Sequence, residues 1–495
     1  MQQPAPTSRQ SAPTLKDGRL FRQACYVDGA WVEARTGGTI EVIDPGSGSV
    51  LGTVPKLGAA ETRRAIEAAD RAWPGWREMT GLERGTILRR WYELMIENRD
   101  DLGLLMTLEQ GKPLKEAKGE IDYAASFIDW FADEGKRAYG DVIPQHRRDA
   151  RIVVVKQPVG VSAAITPWNF PSAMITRKCG PALAAGCPVI VKPASQTPFS
   201  ALALAELAER AGVPAGVFNV VTGSAGEIGG ELTSNPSVRK VSFTGSTEVG
   251  RQLMAQSAGT VKKISLELGG NAPFLVLDDA DLDTAVEAAM TGKFRNTGQS
   301  CIAVNRFLVD ARLYDAFAER FTGRIKALKT GNGLEEGVEI GPLIDMRAIE
   351  KVEEHIRDAV EKGAEVLTGG RRHPAGGTLF EPTVLSGCTR EMKLHREETF
   401  GPVASLFRIE SEAEAIFLAN DTRFGLAAYL CARDAGRIWR VGEALEYGMV
   451  GINTGLISTA TAPFGGIKES GLGREGSKYG LDEFLEVKYL CMSGI

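Results

Sequence analysis

Between residues 159 and 265, short apolar runs alternate with longer stretches of helical spacing. The runs are rich in valine and have the length of buried strands, and segment 198–211 carries leucines at helical spacing. Because strands that alternate with helices pair in parallel, this pattern predicts an α/β fold with helices on both faces of a parallel sheet. Such sheets bind ligands at the carboxyl ends of their strands. We expect strands at 161–166, 189–191, 217–221 and 238–243.

A second alternating region runs from about residue 270 to about 465. Its segments 275–277 and 307–309 are apolar enough for strands, and 313–328 and 348–362 have the apolar spacing of helices. A chain of 495 residues is long enough for about three domains. Two α/β domains in sequence are therefore expected.

Helical spacing also marks two segments closer to the N-terminus, 80–97 and 115–138. The second carries several aromatic residues, among them Phe127 and Phe131. Aromatic side chains at this spacing could line a ligand site, but packing in the core is the favoured interpretation.

A turn at 245–250 is a candidate phosphate site. Gly245 and Ser246 follow one predicted strand and open a helix, where backbone N–H groups attract phosphate. The pattern is not G-x-G-x-x-G, and alone it could be only a tight turn. Lys192 ends another predicted strand, although a lone lysine could equally be solvated. Together these residues predict a pyrophosphate site at the carboxyl edge of the sheet.

Cys301 is the candidate nucleophile. It ends the small and polar segment 294–301, which predicts a loop able to present a thiol. Only the thiolate attacks, so such a site needs N–H groups, a helix N-terminus or a cation nearby. A buried structural cysteine is the alternative, and a single cysteine does not exclude it.

Two further residues could assist a thiol. Glu267 lies between two leucines, and an acid in apolar surroundings tends to have a raised pKa that suits a general base. Asn169 is held near two prolines and could aim its amide at a developing oxyanion. The alternatives are a surface glutamate on a strand and a stiff turn.

Composition narrows the class of protein. The net charge of −5 gives no support to a nucleic-acid partner. Seven scattered cysteines without a C-x-x-C pair, and four histidines without ligand spacing, favour neither disulfides nor a metal site. Residues 1–20 have no apolar core, so we expect a disordered tail rather than a signal or a membrane span. A reducing compartment, the cytoplasm, fits this composition.

Cys301, Glu267, Asn169 and Lys192 occur in the order and spacing of a known family. With the motifs FTGS at 243–246, EETFGP at 397–402 and PFGG at 463–466, the chain resembles the aldehyde dehydrogenase superfamily from about residue 26 to its C-terminus. The segments AMITRK at 173–178 and SGLGREGSKYG at 470–480 make it most similar to the succinate-semialdehyde dehydrogenases.

This resemblance implies a Rossmann-type coenzyme domain, an α/β catalytic domain and a small β oligomerisation arm. In the arm, a hairpin pairs with a C-terminal strand at 486–492 and builds a homotetramer or a homodimer. The implied ranges are 21–138 and 159–266 for the coenzyme domain, 267–479 for the catalytic domain, and 139–158 with 480–495 for the arm.

The resemblance also implies site residues. The coenzyme-binding positions are Trp168, Lys192, Ser195, Gly245, Ser246, Leu268, Glu398 and Phe400. The positions that bind the substrate carboxylate are Arg177, Arg295 and Ser458. An arginine pair suits a carboxylate because each guanidinium donates two parallel hydrogen bonds, although either arginine could instead form a surface ion pair.

The implied reaction is oxidation of succinate semialdehyde to succinate through a thiohemiacetal and a thioester on Cys301. Asn169 holds the oxyanion, and Glu267 activates the water that hydrolyses the thioester. Glutarate semialdehyde, one methylene longer, is the alternative substrate, and a non-catalytic protein on the same fold is the alternative of another class. No metal is expected.

Ser195 predicts the coenzyme. NAD-preferring relatives often hold a glutamate at this position, which repels a 2′-phosphate, whereas a neutral serine can donate to phosphate and Lys192 adds a positive charge. We therefore expect NADP to be preferred and NAD to be accepted. Ser195 could also cap the helix that starts near residue 197, and the two roles can coexist.

Overall fold

A computed structural model describes residues 13–494. It confirms an α/β protein in which helices cover two large sheets. The strands are β1 (Cys25–Val27), β2 (Ala30–Val32), β3 (Thr39–Ile43), β4 (Val50–Pro55), β5 (Asp141–Ile143), β6 (Ala150–Pro158), β7 (Val161–Ile165), β8 (Val189–Lys192), β9 (Phe218–Val220), β10 (Val238–Thr244), β11 (Lys263–Glu267), β12 (Ala272–Val276), β13 (Val304–Asp310), β14 (Glu365–Thr368), β15 (Thr383–Ser386), β16 (Val403–Ile409), β17 (Phe424–Gly425), β18 (Ala427–Cys431), β19 (Met449–Ile452), β20 (Ile467–Lys468), β21 (Gly471–Leu472) and β22 (Leu485–Ser493). The helices are α1 (Ala59–Glu78), α2 (Gly81–Glu97), α3 (Arg99–Gln110), α4 (Leu114–Glu134), α5 (Ala173–Ala185), α6 (Pro198–Arg210), α7 (Ala225–Ser234), α8 (Thr247–Ser257), α9 (Leu282–Phe294), α10 (Tyr314–Lys326), α11 (Met346–Glu361), α12 (Lys393–Arg396), α13 (Glu412–Asn420), α14 (Ala435–Ala444) and α15 (Ser477–Asp482).

The first sheet has the parallel centre that the sequence predicts. Within residues 13–494 its order is β2-β1-β9-β8-β7-β10-β11-β21. Strands β9, β8, β7, β10 and β11 pair in parallel, whereas β1, β2 and β21 add antiparallel edges. Residues of β8 and β9 are buried on both faces of the sheet, which explains their near-continuous apolar sequence.

The second sheet has the order β14-β15-β16-β13-β12-β18-β19 in the described part of the chain. It is parallel except at its β14 edge. The predicted strands at 275–277 and 307–309 fall on β12 and β13, and the predicted helices fall on α10 and α11. One strand of the predicted catalytic range, β21, pairs instead with β11 of the first sheet.

Helix α4 supplies much of the core beside the first sheet. Phe127, Phe131 and Ile128 are fully buried there, together with Trp91 of α2. Complete burial of such a side chain stabilises the fold by about 1.5–3 kcal/mol. The predicted core role of Phe127 and Phe131 is therefore confirmed.

The predicted disordered tail, 1–20, lies outside the described residues up to residue 12. From residue 13 the prediction is wrong. Leu20 is fully buried, and the backbone N–H groups of Lys16 and Asp17 donate to the Asp101 carboxylate at 3.0 and 2.8 Å. Arg210 pairs with the Asp17 carboxylate, so this segment is fixed by polar partners that lie far along the chain.

A small sheet with the order β22-β6-β5 stands apart from the two large ones. The C-terminal strand pairs with the hairpin strand over its whole length, from Leu485 with Pro158 to Ser493 with Ala150. This confirms the predicted pairing of 486–492 with the hairpin. Val487 and Val142 are 69% and 82% exposed, which leaves apolar side chains uncovered on this sheet.

Candidate active site

Cys301 lies in the loop between α9 and β13, after a short 3-10 turn at Arg295–Gly298. Within this turn Asn296 and Thr297 have left-handed backbones, with φ of 52° and 58°. That conformation is unfavourable for residues other than glycine and persists only where neighbours hold it. The Glu116 carboxylate does so by accepting the Asn296 N–H at 2.8 Å. Cys301 is thus presented by a restrained loop, and the residue as a whole is partly exposed.

Glu267 ends β11, and its carboxylate lies beside the Cys301 thiol. Two glycines permit this approach. A Cβ at Gly270 would overlap the Cys301 carbonyl oxygen, and a Cβ at Gly471, where φ is 141°, would overlap the Leu266 carbonyl oxygen on β11. Only glycine fits at such close contacts, so these positions bring the Glu267 strand against the nucleophile loop.

The acid and the thiol have shifted pKa values. Burial raises the pKa of Glu267 to about 7, against the opposing effect of Arg177. Burial also raises the pKa of Cys301 well above 9.0, and Glu267 and Glu398 add to that rise. Apart from the thiol, no described group forms a hydrogen bond with either Glu267 oxygen. A carboxylate with this pKa is available to accept a proton near neutral pH.

Asn169 is buried against the same loop. Its side-chain amide donates to the Gln299 carbonyl oxygen at 3.1 Å. Its backbone carbonyl accepts from Lys112 Nζ at 2.8 Å and from Asn296 Nδ2 at 2.9 Å. Gln299 lies two residues before Cys301, so this bond fixes the Asn169 amide beside the nucleophile loop. At that place an amide donor could meet an oxyanion.

A cavity of about 870 Å³ opens beside the first turn of α8. Ser246 caps this helix, and Ser246, Thr247, Gly269 and Glu398 line the cavity. Burial raises the pKa of Glu398 to about 8, and its carboxylate accepts the N–H of Gly270 at 3.3 Å. A helix N-terminus that opens on a cavity suits a phosphate, and a buried carboxylate suits hydroxyl groups, so these residues fit a dinucleotide.

Lys192 ends β8 at the same edge of the sheet as β10 and β11, because all three strands are parallel. It is buried, and burial lowers its pKa to about 8. In the described part of the chain no carboxylate forms an ion pair with it. An unpaired cation at this edge remains available for an anionic ligand.

The structure removes one alternative for Ser195. Helix α6 has Thr197 as its N-cap, without a side-chain bond. Its free N–H groups at Phe199 and Ser200 donate instead to the Glu109 carboxylate, at 2.7 and 2.8 Å. Ser195 therefore does not cap the helix, and it lies in the turn that follows Lys192.

The other predicted coenzyme residues lie near the catalytic loops. The rings of Trp168 and Phe400 meet edge to face with centroids 5.6 Å apart. Phe400 has a φ of 53°, which turns the backbone of its loop. Gly245 donates its N–H to the Glu267 carbonyl at 3.1 Å, and Leu268 donates to the Ser470 carbonyl at 2.9 Å. These bonds tie the α8 turn to the strand that carries the acid.

Arg177 is buried on α5 and forms an ion pair with Glu475 at 2.7 Å. Its guanidinium carbon lies 3.8 Å from the centre of the Phe464 ring. Burial opposes its charge, but Glu475 keeps the Arg177 pKa above its usual value, with smaller contributions from groups that include Glu267 and Cys301. The arginine thus lies within electrostatic reach of the acid and the thiol.

Arg295 stacks between two rings, with its guanidinium carbon 4.9 Å from the Phe170 centroid and 5.7 Å from the Tyr123 centroid. Burial raises the pKa of Tyr123, whereas Arg177, Arg295 and Ser458 lower it. The structure therefore brings the three predicted carboxylate-binding residues around one phenol.

Three residues at the site were missed by the sequence analysis, namely Tyr123, Glu475 and Glu109. Tyr123 lies one helical turn before Phe127 on α4, and a hydroxyl on an otherwise apolar helix face was the available signal. Glu475 lies within the segment 470–480 that carries the family resemblance, but nothing local to it indicates a partner. Glu109 is buried and carries no sequence signal of a cap.

Among residues 13–494, no three His, Cys, Asp or Glu side chains are arranged to hold a metal ion. In the same part of the chain, no helix is both long enough and apolar enough to cross a membrane.

Comparison with known proteins agrees with this geometry. The family model described as "Aldehyde dehydrogenase family" matches residues 31–490. The chain is 66% identical to the glutarate-semialdehyde dehydrogenase of Pseudomonas aeruginosa, over 97% of this chain and 100% of that protein. It is 65% identical to the NADP(+) succinate-semialdehyde dehydrogenase of Escherichia coli, over 97% and 99%. The crystal structure of succinate-semialdehyde dehydrogenase from Burkholderia pseudomallei superposes with a TM-score of 0.97 at 64% identity, covering 97% of this chain and all of that one. The chain belongs to the aldehyde dehydrogenase family.

Proposed function

We propose that this aldehyde dehydrogenase oxidises succinate semialdehyde to succinate, with NADP as the preferred hydride acceptor. The observation that carries the proposal is the pair Arg177 and Arg295, which both lie near Tyr123. Arg177 is also within electrostatic reach of Cys301. A short aldehyde with a terminal carboxylate would place one end on the arginines and the other at the thiol. Two similar proteins are named as succinate-semialdehyde dehydrogenases, which agrees with such a substrate.

The proposed reaction begins at Cys301. The Cys301 thiol releases its proton to solvent, and the thiolate attacks the aldehyde carbon to give a thiohemiacetal. The Asn169 amide and the Cys301 backbone N–H would hold its oxyanion. A coenzyme held at Ser246 and Lys192 would supply the hydride acceptor, and loss of hydride from that carbon would leave a thioester on the cysteine.

Hydrolysis completes the turnover. Glu267 removes a proton from water, the hydroxide adds to the thioester carbon, and the carbon–sulfur bond breaks to release the acid. Overall one aldehyde, one water and one oxidised coenzyme give one carboxylate, one reduced coenzyme and protons. A Glu267 pKa of about 7 lets the residue bind and release a proton at neutral pH.

Selection of NADP is proposed to rest on Ser195 and Lys192. Since the Glu109 carboxylate caps α6, the Ser195 hydroxyl is not needed for the helix. A neutral donor and a buried, unpaired lysine at one edge of the sheet suit a 2′-phosphate, and neither group excludes NAD. The Escherichia coli relative is named as an NADP(+) enzyme, which agrees with this preference.

Initial rates with succinate semialdehyde, glutarate semialdehyde and butanal, each with both coenzymes, test the proposal. We expect the highest kcat/KM with succinate semialdehyde and NADP. Glutarate semialdehyde is the second candidate, because a relative at 66% identity carries that name. One methylene is worth about 10–200-fold in discrimination. If neither NADPH nor NADH forms with any aldehyde, the alternative of a non-catalytic protein on the same fold would be favoured.

The variant Arg295→Ala tests how the carboxylate is recognised. Loss of a charge-assisted hydrogen bond of about 1.5–3 kcal/mol should raise KM for succinate semialdehyde by at least about tenfold. KM for butanal should change little, because butanal carries no charge. The matched control Arg251→Ala removes an arginine whose ion pair is at the surface. Equal losses on both aldehydes would show that Arg295 is structural.

The sheet of β22, β6 and β5 is proposed as a homo-oligomerisation arm. Its uncovered side chains include Tyr489, which is 57% exposed, beside Val487 and Val142. An exposed strand edge with apolar side chains readily pairs with another chain. Light scattering should show a dimer or tetramer, and Val487→Lys should shift the population toward the monomer.

Seven free cysteines suit a reducing compartment, and the cytoplasm is proposed on that basis.

A further inference from the structure

Tyr123 occupies a distinct place on helix α4. Its ring packs edge to face on Phe127, one helical turn later, with centroids 5.0 Å apart. The Arg295 guanidinium carbon lies 5.7 Å from the Tyr123 centroid, while Phe127 belongs with Phe131 to the apolar core. The phenol therefore stands where the apolar core meets the charged part of the site.

The Tyr123 hydroxyl is buried and faces Ser458. Ser458 is near enough to lower the pKa of this hydroxyl as a hydrogen-bond partner, but no described residue meets the distance and angles of a hydrogen bond with it. Arg177 and Arg295 are both close enough to influence its proton. Buried hydroxyl groups in folded proteins almost always have a hydrogen-bond partner, so this donor calls for an acceptor from outside the chain.

The two arginines show what that acceptor is. Arg177 stacks on Phe464 at 3.8 Å, and Arg295 stacks on Phe170 at 4.9 Å, so ring faces cover both guanidinium planes. Their remaining N–H donors point within those planes. Arg177 shares its charge with Glu475, whereas Arg295 forms no ion pair with a described residue. A carboxylate accepts several hydrogen bonds, and two arginines with a phenol between them match one.

We propose that Tyr123 is a further substrate-binding residue, whose hydroxyl donates to the terminal carboxylate of the substrate between Arg177 and Arg295. It selects for aldehydes with an anionic end, because an uncharged aldehyde leaves the hydroxyl and the arginines without an acceptor. This inference rests on the proposed function, since it concerns the same substrate and the same end of the pocket.

The alternative is that only the ring matters, as a platform for Arg295. The variant Tyr123→Phe separates these roles because it keeps the ring and removes the hydroxyl. We expect kcat/KM for succinate semialdehyde to fall by about tenfold or more, the usual effect of losing a hydrogen bond to a charged group. The kcat/KM for butanal should stay within about twofold, because butanal has no carboxylate and loses no hydrogen bond when the hydroxyl is removed.

Product inhibition gives a second readout that needs no turnover of the semialdehyde. The inhibition constant of succinate against butanal oxidation should rise in Tyr123→Phe by the same factor as kcat/KM falls. Tyr92→Phe is the matched control, because it removes a half-buried phenol from α2, where the ring contacts Arg89. It should leave both aldehydes and succinate inhibition unchanged.

The outcomes are distinct. If the wild type prefers succinate semialdehyde to butanal and Tyr123→Phe keeps that full preference and the same succinate inhibition, the hydroxyl does not bind the carboxylate. Equal loss on both aldehydes would likewise assign Tyr123 a structural role. If the wild type itself shows no preference for the carboxylated aldehyde, the proposed function fails instead.

Discussion

Glu475 holds two buried cations, and its removal has a predictable cost. Its carboxylate pairs with Arg177 at 2.7 Å and with Lys178, and both cations are only 1% exposed at the side chain. Glu475→Gln keeps the shape and one acceptor oxygen but leaves two charges without a counter-ion. Breaking a buried pair from one side costs about 3–5 kcal/mol, and we expect a loss of that size in the free energy of unfolding.

The same variant should change the pH dependence of activity. Glu475 raises the pKa of Glu267, while burial remains the main cause of the Glu267 value of about 7. Without that negative charge, Arg177 and Lys178 act on Glu267 unopposed and lower its pKa. The acidic limb of the kcat/KM profile should therefore move to lower pH in Glu475→Gln.

The sign of the stability effect with pH follows from Glu475 itself. Burial alone would raise its pKa, but Lys178 and Arg177 hold it below 4.5. The stabilisation is therefore complete above the unfolded pKa and is lost as pH falls through the folded one. Urea unfolding of wild type and variant should differ most at neutral pH and converge in acid.

Glu469→Gln is the control for this experiment, because Glu469 pairs with Arg251 at 2.6 Å at the surface, with 39% and 54% of the side chains exposed. Such an exposed pair contributes about 0–1 kcal/mol. A loss below about 1 kcal/mol in Glu475→Gln as well would show that water reaches and solvates the two cations. An unshifted pH profile would show that the charge of Glu475 is not felt at Glu267.

Three further variants address the reaction and the coenzyme. Cys301→Ala should abolish NADPH formation but keep coenzyme binding, which is measured by the quenching of tryptophan fluorescence. Full turnover in this variant would rule out the cysteine mechanism. Glu267→Gln should give a burst of NADPH in stopped flow and then stall, because the thioester forms but water is not activated; an unchanged steady state would assign the base elsewhere. Ser195→Glu should shift the kcat/KM ratio toward NAD, since a carboxylate repels a 2′-phosphate, and it should leave the aldehyde KM alone; an unchanged ratio would place coenzyme selection elsewhere.

Much of the fold could be predicted because its strands carry their own signal. Residues of β8 are buried on both faces, so their sequence must be apolar throughout, and a short window reveals it. The carboxyl ends of parallel strands meet at one edge of the sheet. For this reason the sequence alone predicted that Lys192 and Gly245 lie at the same edge. Local patterns were sufficient wherever the surroundings of a residue follow from its own strand.

The packed segment at 13–20 shows where local patterns fail. Its few apolar residues, Leu15 and Leu20, give no periodicity, so composition alone predicted a tail. What fixes it are hydrogen bonds to Asp101, whose partners Lys16 and Asp17 lie 85 and 84 residues earlier. The Glu109 cap on α6 is of the same kind, with 90 residues between Glu109 and Phe199. A single sequence does not reveal which distant carboxylate will meet which N–H group.

The proposed substrate site is the feature that local sequence predicts least. Tyr123 comes from α4, Arg177 from α5 and Arg295 from the turn after α9, and each alone has an ordinary interpretation as core, ion pair or surface residue. Charge on Arg177 is acceptable only because Glu475, 298 residues away, neutralises part of it. Arg295 forms no ion pair with a described residue, and its charge opposes the rise that burial causes in the pKa of the Glu116 carboxylate. The proposed recognition of an anionic substrate depends on both arginines together, a property of the assembled pocket that no individual motif contains.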